Sequence, residues 1–487
     1  MGLTRLGKFT LTIVVIVLAA YWLRTHPEAL QGFRLPELPP RPPRVEATPR
    51  PVRTPRLIER TPQPQPTPLP RLIVPTPDDQ PGPGLTARGI GRAQYEAGNY
   101  AGAIANLNRA ITSNPLDIES ITLRENAYAL LPGRPVWEIV VVGPFSGPQE
   151  QYGLQILFGV HYAQRGANQS GGIRGRRIVL RFFDDKANAE EAVRVAGGIV
   201  RDNNALALVG HYNSRATLAA GPVYQSNGLP AITSTSTNPA IANLGDYIFR
   251  VVGHDGEQAR ALANAIWGEG HRTTLVFTDD EDAYSRGLAE NFQRLYEQRG
   301  GRIIKNTFTV NGEIQIKVDP RDAQAVLVTG EYADAGKIAR MLRDLGSSAP
   351  ILGGDAVYSQ GLFASGGDAV RGVRATAFYH YTVRNSPLLP RAEEFAKAFE
   401  AAVGAPANQN MATSYDAVSL LFNAMRDGAV TREGIQTYLA SIGRSRPAYI
   451  GVTGRIAFDG NGEAIRKPWV LVRARQQDFV ADKVVAP

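Results

Sequence analysis

Two consecutive runs of strands alternating with amphipathic helices place this chain in the α/β class. They predict two lobes, each a doubly wound, mostly parallel sheet, joined by a hinge. The first run spans Glu138 to Val252 and the second Thr273 to Gly353. Ahead of them, a short helical pattern adds a small all-α hairpin, and an apolar run at the start adds an N-terminal membrane helix. The 487 residues have room for two or three domains.

Composition narrows the function classes. There is no cysteine, which removes disulfides, thiolate metal sites and the lipid-modified cysteine of a bacterial lipoprotein. The net charge of +8 is carried by a tail: residues 1–71 hold eleven Lys/Arg against four Glu. The rest is close to neutral and shows no basic stripe, so nucleic acid is not an expected partner.

Arg5 and Lys8 precede the apolar run FTLTIVVIVLAAYWL, Phe9 to Leu23. Basic residues ahead of an apolar core are what export requires. Tyr21-Trp22-Leu23-Arg24 occupy the place where a small-residue cleavage site would stand. Residues 1–30 are therefore expected to be an uncleaved anchor helix in the cytoplasmic membrane with the remainder periplasmic or otherwise extracytoplasmic; a cleaved secretion signal is the alternative. Residues 31–84 contain PPRPPR, TPRPVRTPR and TPQPQPTPLPR and are expected to be a polyproline or disordered linker. At about 3.1 Å per residue it reaches on the order of 150 Å.

Residues 85–133 read as a helical hairpin. Gly91, Tyr95, Gly98, Tyr100, Ala103, Leu107, Ala110 and Pro115 fall in a pattern that resembles one tetratricopeptide repeat, with the helix from Asp117 to Leu131 as its cap. It is a candidate spacer or a docking point for a protein partner.

In the body, strands are expected at Glu138–Gly143, Arg177–Phe183, Ala205–Gly210, Leu229–Ile232 and Tyr247–Val252. The second run continues with Thr273–Thr278, Arg302–Phe308, Ala323–Thr329 and Ile351–Gly353, and then helices from Arg391 to Ile442. The first lobe comprises 136–253 and 379–451, the second 254–378 and 452–487. Two successive strands of the first lobe end in polar turns, Tyr212-Asn213-Ser214 and Ser234-Thr235-Ser236-Thr237-Asn238, each at the mouth of a helix. Free N–H groups and the positive end of a helix dipole suit an anion there, such as a ligand carboxylate. Plain N-capping is the alternative for either turn alone.

Ten short motifs stand in one order: among them Gly143-Pro144-Phe145-Ser146-Gly147-Pro148 with Tyr152-Gly153, Asp184-Asp185, Gly210-His211 with Ser214 and Thr217, Thr237-Asn238-Pro239, Phe249-Arg250 with Asp255 and Gln258, and Gly353-Gly354-Asp355. From Val136 onward the chain resembles the type I periplasmic binding proteins of the branched-chain amino acid class. The resemblance implies a two-lobed clamp that closes on a free amino acid and hands it to the permease of an ABC importer, with no enzymatic activity and no cofactor. Ser214 and Thr237 match that family's carboxylate-binding hydroxyls, with backbone groups around Ser236 assisting. Asp355 matches its acid for the α-ammonium, and Tyr152 its aromatic side-chain contact. Tyr284 and Asp255 fall at cleft positions.

The residues themselves support the same division of labour. A zwitterion needs an anion seat and a carboxylate held apart, and Ser214 and Asp355 come from different lobes. Glu331-Tyr332 departs from the family, which often has an aromatic residue there. Glu331 suits a cationic ligand, whereas Arg215 beside the seat suits an acidic one. His211 with Ser214 lacks the spacing of a catalytic pair. Asp279-Asp280-Glu281-Asp282 and Asp459-x-Asn461-x-Glu463 fit a helix start and a turn better than calcium loops, and no metal site is expected. Two other uses of such a fold stay open: an activator of cell-wall synthases (penicillin-binding proteins), and the ligand-sensing subunit of a signalling complex.

Overall fold

The computed structural model describes residues 83–131, 133 and 135–486, so the expected anchor (1–30) and nearly all of the linker (31–84) lie outside the described residues. Among the described residues no helix is long and apolar enough to cross a membrane.

Three helices open the described chain: α1 (Pro83–Glu96), α2 (Tyr100–Ser113) and α3 (Ile118–Leu130). Asn99 and Asp117 start the second and third by accepting from the backbone N–H of Gly102 and Ser120, the usual N-cap use of these residue types. Gly91 lets α1 and α2 cross closely, since a Cβ there would lie 2.8 Å from Leu107 Cγ. The hairpin is therefore present, while its likeness to a tetratricopeptide repeat stays a matter of sequence pattern.

The first sheet contains β1 (Val136–Gly143), β2 (Arg177–Asp184), β3 (Ala205–Val209), β4 (Ala231–Thr233) and β5 (Ile248–Arg250), in the spatial order β2-β1-β3-β4-β5. Every pair is parallel. Period-2 alternation in β1 decides its two faces. Ile139 and Val141 join one apolar cluster, with α4 (Glu150–Gln169), α12 (Gln409–Arg426) and α13 (Arg432–Ser441). Val140 and Val142 join another, with α5 (Ala189–Ile199) and α6 (Ser214–Ser226). Helices thus cover both faces, as a parallel sheet requires.

The second sheet repeats this topology. Its parallel part is β7 (Arg302–Thr307), β6 (Thr273–Thr278), β8 (Ala325–Val328), β9 (Ile351–Gly353) and β10 (Arg374–Ala377) in that order. Antiparallel β13 (Trp469–Arg475) and β14 (Asp478–Val485) extend it beyond β10. On one face lie α7 (Asp255–Gly268) and α8 (Ala283–Glu297). On the other lie α9 (Tyr332–Asp344), α10 (Gly361–Gly366) and α11 (Ala392–Val403), the last through Phe395 and Phe399. A small antiparallel pair, β11 (Tyr449–Gly451) and β12 (Gly454–Ile456), completes the strands.

The three N-terminal helices are built into the first half. Ala103, Leu107, Ile118 and Leu123 share the apolar cluster of α4 and β1. Two asparagines satisfy the open edge of β2 as a further strand would. Asn126 of α3 accepts from Leu180 N at 2.9 Å and donates to Leu180 O at 2.7 Å. Asn168 of α4 does the same for Ile178, at 2.7 and 3.0 Å. An exposed strand edge is a liability in water, and here side-chain amides close it.

Candidate functional site

Both sheets have a switch point where the strand order reverses, between β1 and β3 and between β6 and β8. Ligands of such sheets bind at the carboxyl ends of strands near these points. A cavity of about 360 Å³ lies there, lined by the segments after β1, β2, β3, β4, β6, β7, β8 and β9. That volume suits one small organic molecule.

The hydroxyl-rich turns of the first sheet form one wall. Asn213 caps α6 by accepting from Ala216 N at 2.8 Å, leaving Ser214 at the first helical position. Ser214 Oγ accepts from Asn238 N at 3.2 Å, which ties the two turns together and leaves its own proton available. Thr217 Oγ1 and Ser236 Oγ are 2.7 Å apart, and Thr235 Oγ1 donates to Tyr212 O at 2.5 Å. Thr237 Oγ1 is buried without a hydrogen-bond partner; it sits near the Asp255 carboxylate but outside hydrogen-bonding geometry. A buried hydroxyl left unmatched carries a free-energy cost that a ligand oxygen can offset.

The second sheet supplies the opposite wall. Asp355, directly after β9, directs Oδ1 to Gln258 Nε2 at 2.5 Å and the Tyr284 hydroxyl at 3.0 Å. Oδ2 is engaged by neither. Burial raises the Asp355 carboxyl to about 6, with the Gln258 and Tyr284 hydrogen bonds pulling it down. A buried acid with a raised pKa is poised to accept a cation. Glu331, closing the turn between β8 and α9, accepts from Gln149 Nε2 and, at 3.3 Å, from Asn311 Nδ2. Burial lifts Glu331 to about 7. Tyr152 stacks on Tyr212 with ring centres 4.4 Å apart, and both rings line the cavity.

Seven of the eight residues singled out from sequence therefore line one cavity: Ser214, Ser236, Thr237, Tyr152, Tyr284, Glu331 and Asp355. Asp255 does not. It starts α7 fully buried behind the wall, and burial pushes its carboxyl up to about 7. Arg215 is not free for an acidic ligand, because it donates to Asp282 Oδ2 at 2.7 Å.

The other constellations resolve as structure. His211 meets Asp185 Oδ2 at 2.5 Å and the Tyr224 hydroxyl at 2.9 Å, away from Ser214. Asp282 caps α8, Asp279 accepts from Val310 N, and Asp280 pairs with Lys305. Asp459 closes a turn on Asn461 N and Glu463 N, while Glu463 pairs with buried Arg250. Sequence reasoning missed Gln149, Tyr212, Asn311 and Tyr358 in the lining. Only Tyr212 carried a signal, its place in the polar turn before Ser214.

Comparison with known proteins agrees with this fold. A Leu/Ile/Val-binding protein of Rhizobium johnstonii is 26% identical over 356 residues, 72% of this chain and 93% of that protein. A Leu/Ile/Val-binding protein homologue of Brucella melitensis is 27% identical over 289 residues, 58% of this chain and 77% of its own length. The crystal structure of a branched-chain amino acid transporter substrate-binding protein of Streptococcus pneumoniae, in complex with isoleucine, superposes with a TM-score of 0.66 at 26% identity. It covers 72% of this chain and all of that one. The periplasmic binding protein family matches residues 136–478, and the chain belongs to that family.

Proposed function

We propose that this chain is an extracytoplasmic solute-binding protein that captures a free amino acid between its two lobes and delivers it to an ABC importer in the membrane, without catalysing a reaction. The observation that carries this reading is the pairing of opposites across one cavity. Ser214, Ser236 and Thr237 stand at strand ends of the first sheet, and Asp355 stands at a strand end of the second. Hydroxyls at a helix mouth suit a carboxylate, and a desolvated acid suits an ammonium group. A zwitterion held at both ends joins the lobes, which couples binding to closure. The apolar run Phe9–Leu23 supports a membrane tether for the exported body.

Calorimetric titration of the full-length chain with the common amino acids tests the proposal. At least one should bind, and Ser214→Ala and Asp355→Asn should each weaken it roughly tenfold or more. No binding across the set, or binding indifferent to Asp355→Asn, would overturn it.

A further inference from the structure

We propose that the amino acid taken by this site carries a cationic side chain, and that Glu331 is the residue that selects it. This rests on the amino-acid reading above and narrows it.

The lining is the first observation. Val310 is the only Val, Leu, Ile, Met or Phe among the described residues that line the cavity. An aliphatic side chain gains affinity from apolar contact area, and this wall offers little of it beyond the tyrosine rings. The polar lining instead favours a ligand that brings hydrogen-bond donors of its own.

Charge balance is the second. The charged side chains lining the cavity are Lys186, Arg215, Asp282, Glu331 and Asp355, so negative outnumbers positive by one. Arg215 and Asp282 cancel in their ion pair. Lys186 is exposed and follows β2 on the wall of the hydroxyl seat, where it adds to the field that draws a carboxylate. Asp355 is reserved for the α-ammonium. A simple zwitterion leaves Glu331 without a cation, and among the described residues no Lys or Arg pairs with it. The side chains that donate to it, Gln149 and Asn311, are both neutral amides. One further positive charge on the ligand completes the balance.

Placement is the third. Glu331 follows β8 and Asp355 follows β9, strands that run side by side in parallel, about 4.8 Å apart as neighbouring strands are. The two acids thus stand on adjacent strand ends, facing the hydroxyl seat. A ligand with one ammonium at Asp355 presents its side chain toward Glu331. The stacked Tyr152 and Tyr212 give ring surface to the alkyl stem and to a cation.

The test is competitive calorimetry of the full-length chain with L-lysine, L-arginine, L-leucine, L-glutamine and L-glutamate, repeated with Glu331→Gln. The better of lysine and arginine should bind roughly ten- to hundredfold tighter than leucine, glutamine or glutamate, as a buried charge-assisted hydrogen bond predicts. Glu331→Gln, with a melting curve confirming that it is folded, should reduce that preference to about threefold or less. Leucine, glutamine or glutamate binding as tightly as the better cationic ligand would overturn the inference and leave the amino-acid reading standing, and so would a preference unchanged in Glu331→Gln. The wild-type ratio alone decides the matter even if the variant does not fold. No binding by any of the five in the wild type would overturn it too, whereas the amino-acid reading fails only if the wider set of common amino acids is also silent or binding is indifferent to Asp355→Asn.

Discussion

Arg215 at the start of α6 and Asp282 at the cap of α8 form an ion pair, 2.7 Å apart, that joins the first half of the molecule to the second across the cavity mouth. Gln149 on Glu331 and Gln151 on the Tyr332 hydroxyl bridge the same two halves.

Because the Arg215 side chain is about half exposed, the pair contributes little to folding, within about 1 kcal/mol. Its effect should fall on ligand release. Arg215→Ala is expected to speed dissociation about two- to fivefold, with association nearly unchanged. Stopped-flow fluorescence checks this, and raising the salt should bring the wild-type rate toward that of the variant.

Burial raises the Asp355 carboxyl from 3.8 to about 6. Between those values the folded, empty protein binds a proton that the unfolded chain has already lost, so this group makes stability fall as pH rises through the window. Asp255, buried on α7 behind it and raised to about 7, acts with the same sign. A ligand ammonium needs the ionised form. Affinity should therefore climb with pH through the Asp355 range and level off only above about 8, once Glu331, raised to about 7, is ionised as well, with protons released on binding at lower pH. Calorimetry in two buffers of different ionisation enthalpy measures those protons; an affinity flat from about pH 5 to 8 would contradict the assignment.

Gly153 allows the first turn of α4 to approach the preceding loop, since a Cβ there would lie 2.0 Å from Pro144 O. Gly153→Ala must displace backbone next to Tyr152. A loss of about 1–3 kcal/mol in denaturant unfolding is expected, together with weaker ligand binding from the shifted ring.

Asn126 is fully buried and serves both Leu180 N and Leu180 O. Asn126→Ala strands two buried backbone groups, each costing about 1–3 kcal/mol. A lower unfolding midpoint with unchanged ligand affinity is the expected pair of results. Reduced affinity at full stability would contradict a purely structural role for α3.

The parts of this molecule that were legible in the sequence follow one physical rule: they are local. Strands such as Thr273–Thr278 and Ile351–Gly353 are unbroken apolar or β-branched runs, and the structure has them at the expected residues. Ser214 and Thr237 stood out because a hydroxyl directly after an apolar strand and before a helix has few other uses. β10 was missed because Arg-Ala-Thr-Ala lacks an apolar pattern; its burial comes from β9 and β13 on either side. The amides that finish the site, Gln149 on Glu331 and Gln258 on Asp355, join residues 182 and 97 positions apart. Nothing in the spacing of a glutamine reports such a partner. The same holds for Asn126, whose role depends on an edge strand 54 residues away.

The central claim is that a hydroxyl seat and a buried acid hold the two ends of one amino acid. A crystal structure of the protein with its best-binding amino acid tests this most directly. The account predicts density for the ligand carboxylate within hydrogen-bonding distance of Ser214 and Thr237, and for its α-ammonium at Asp355 Oδ2. A ligand bound elsewhere, or in this cavity with its carboxylate turned away from Ser214 and Thr237, would contradict it.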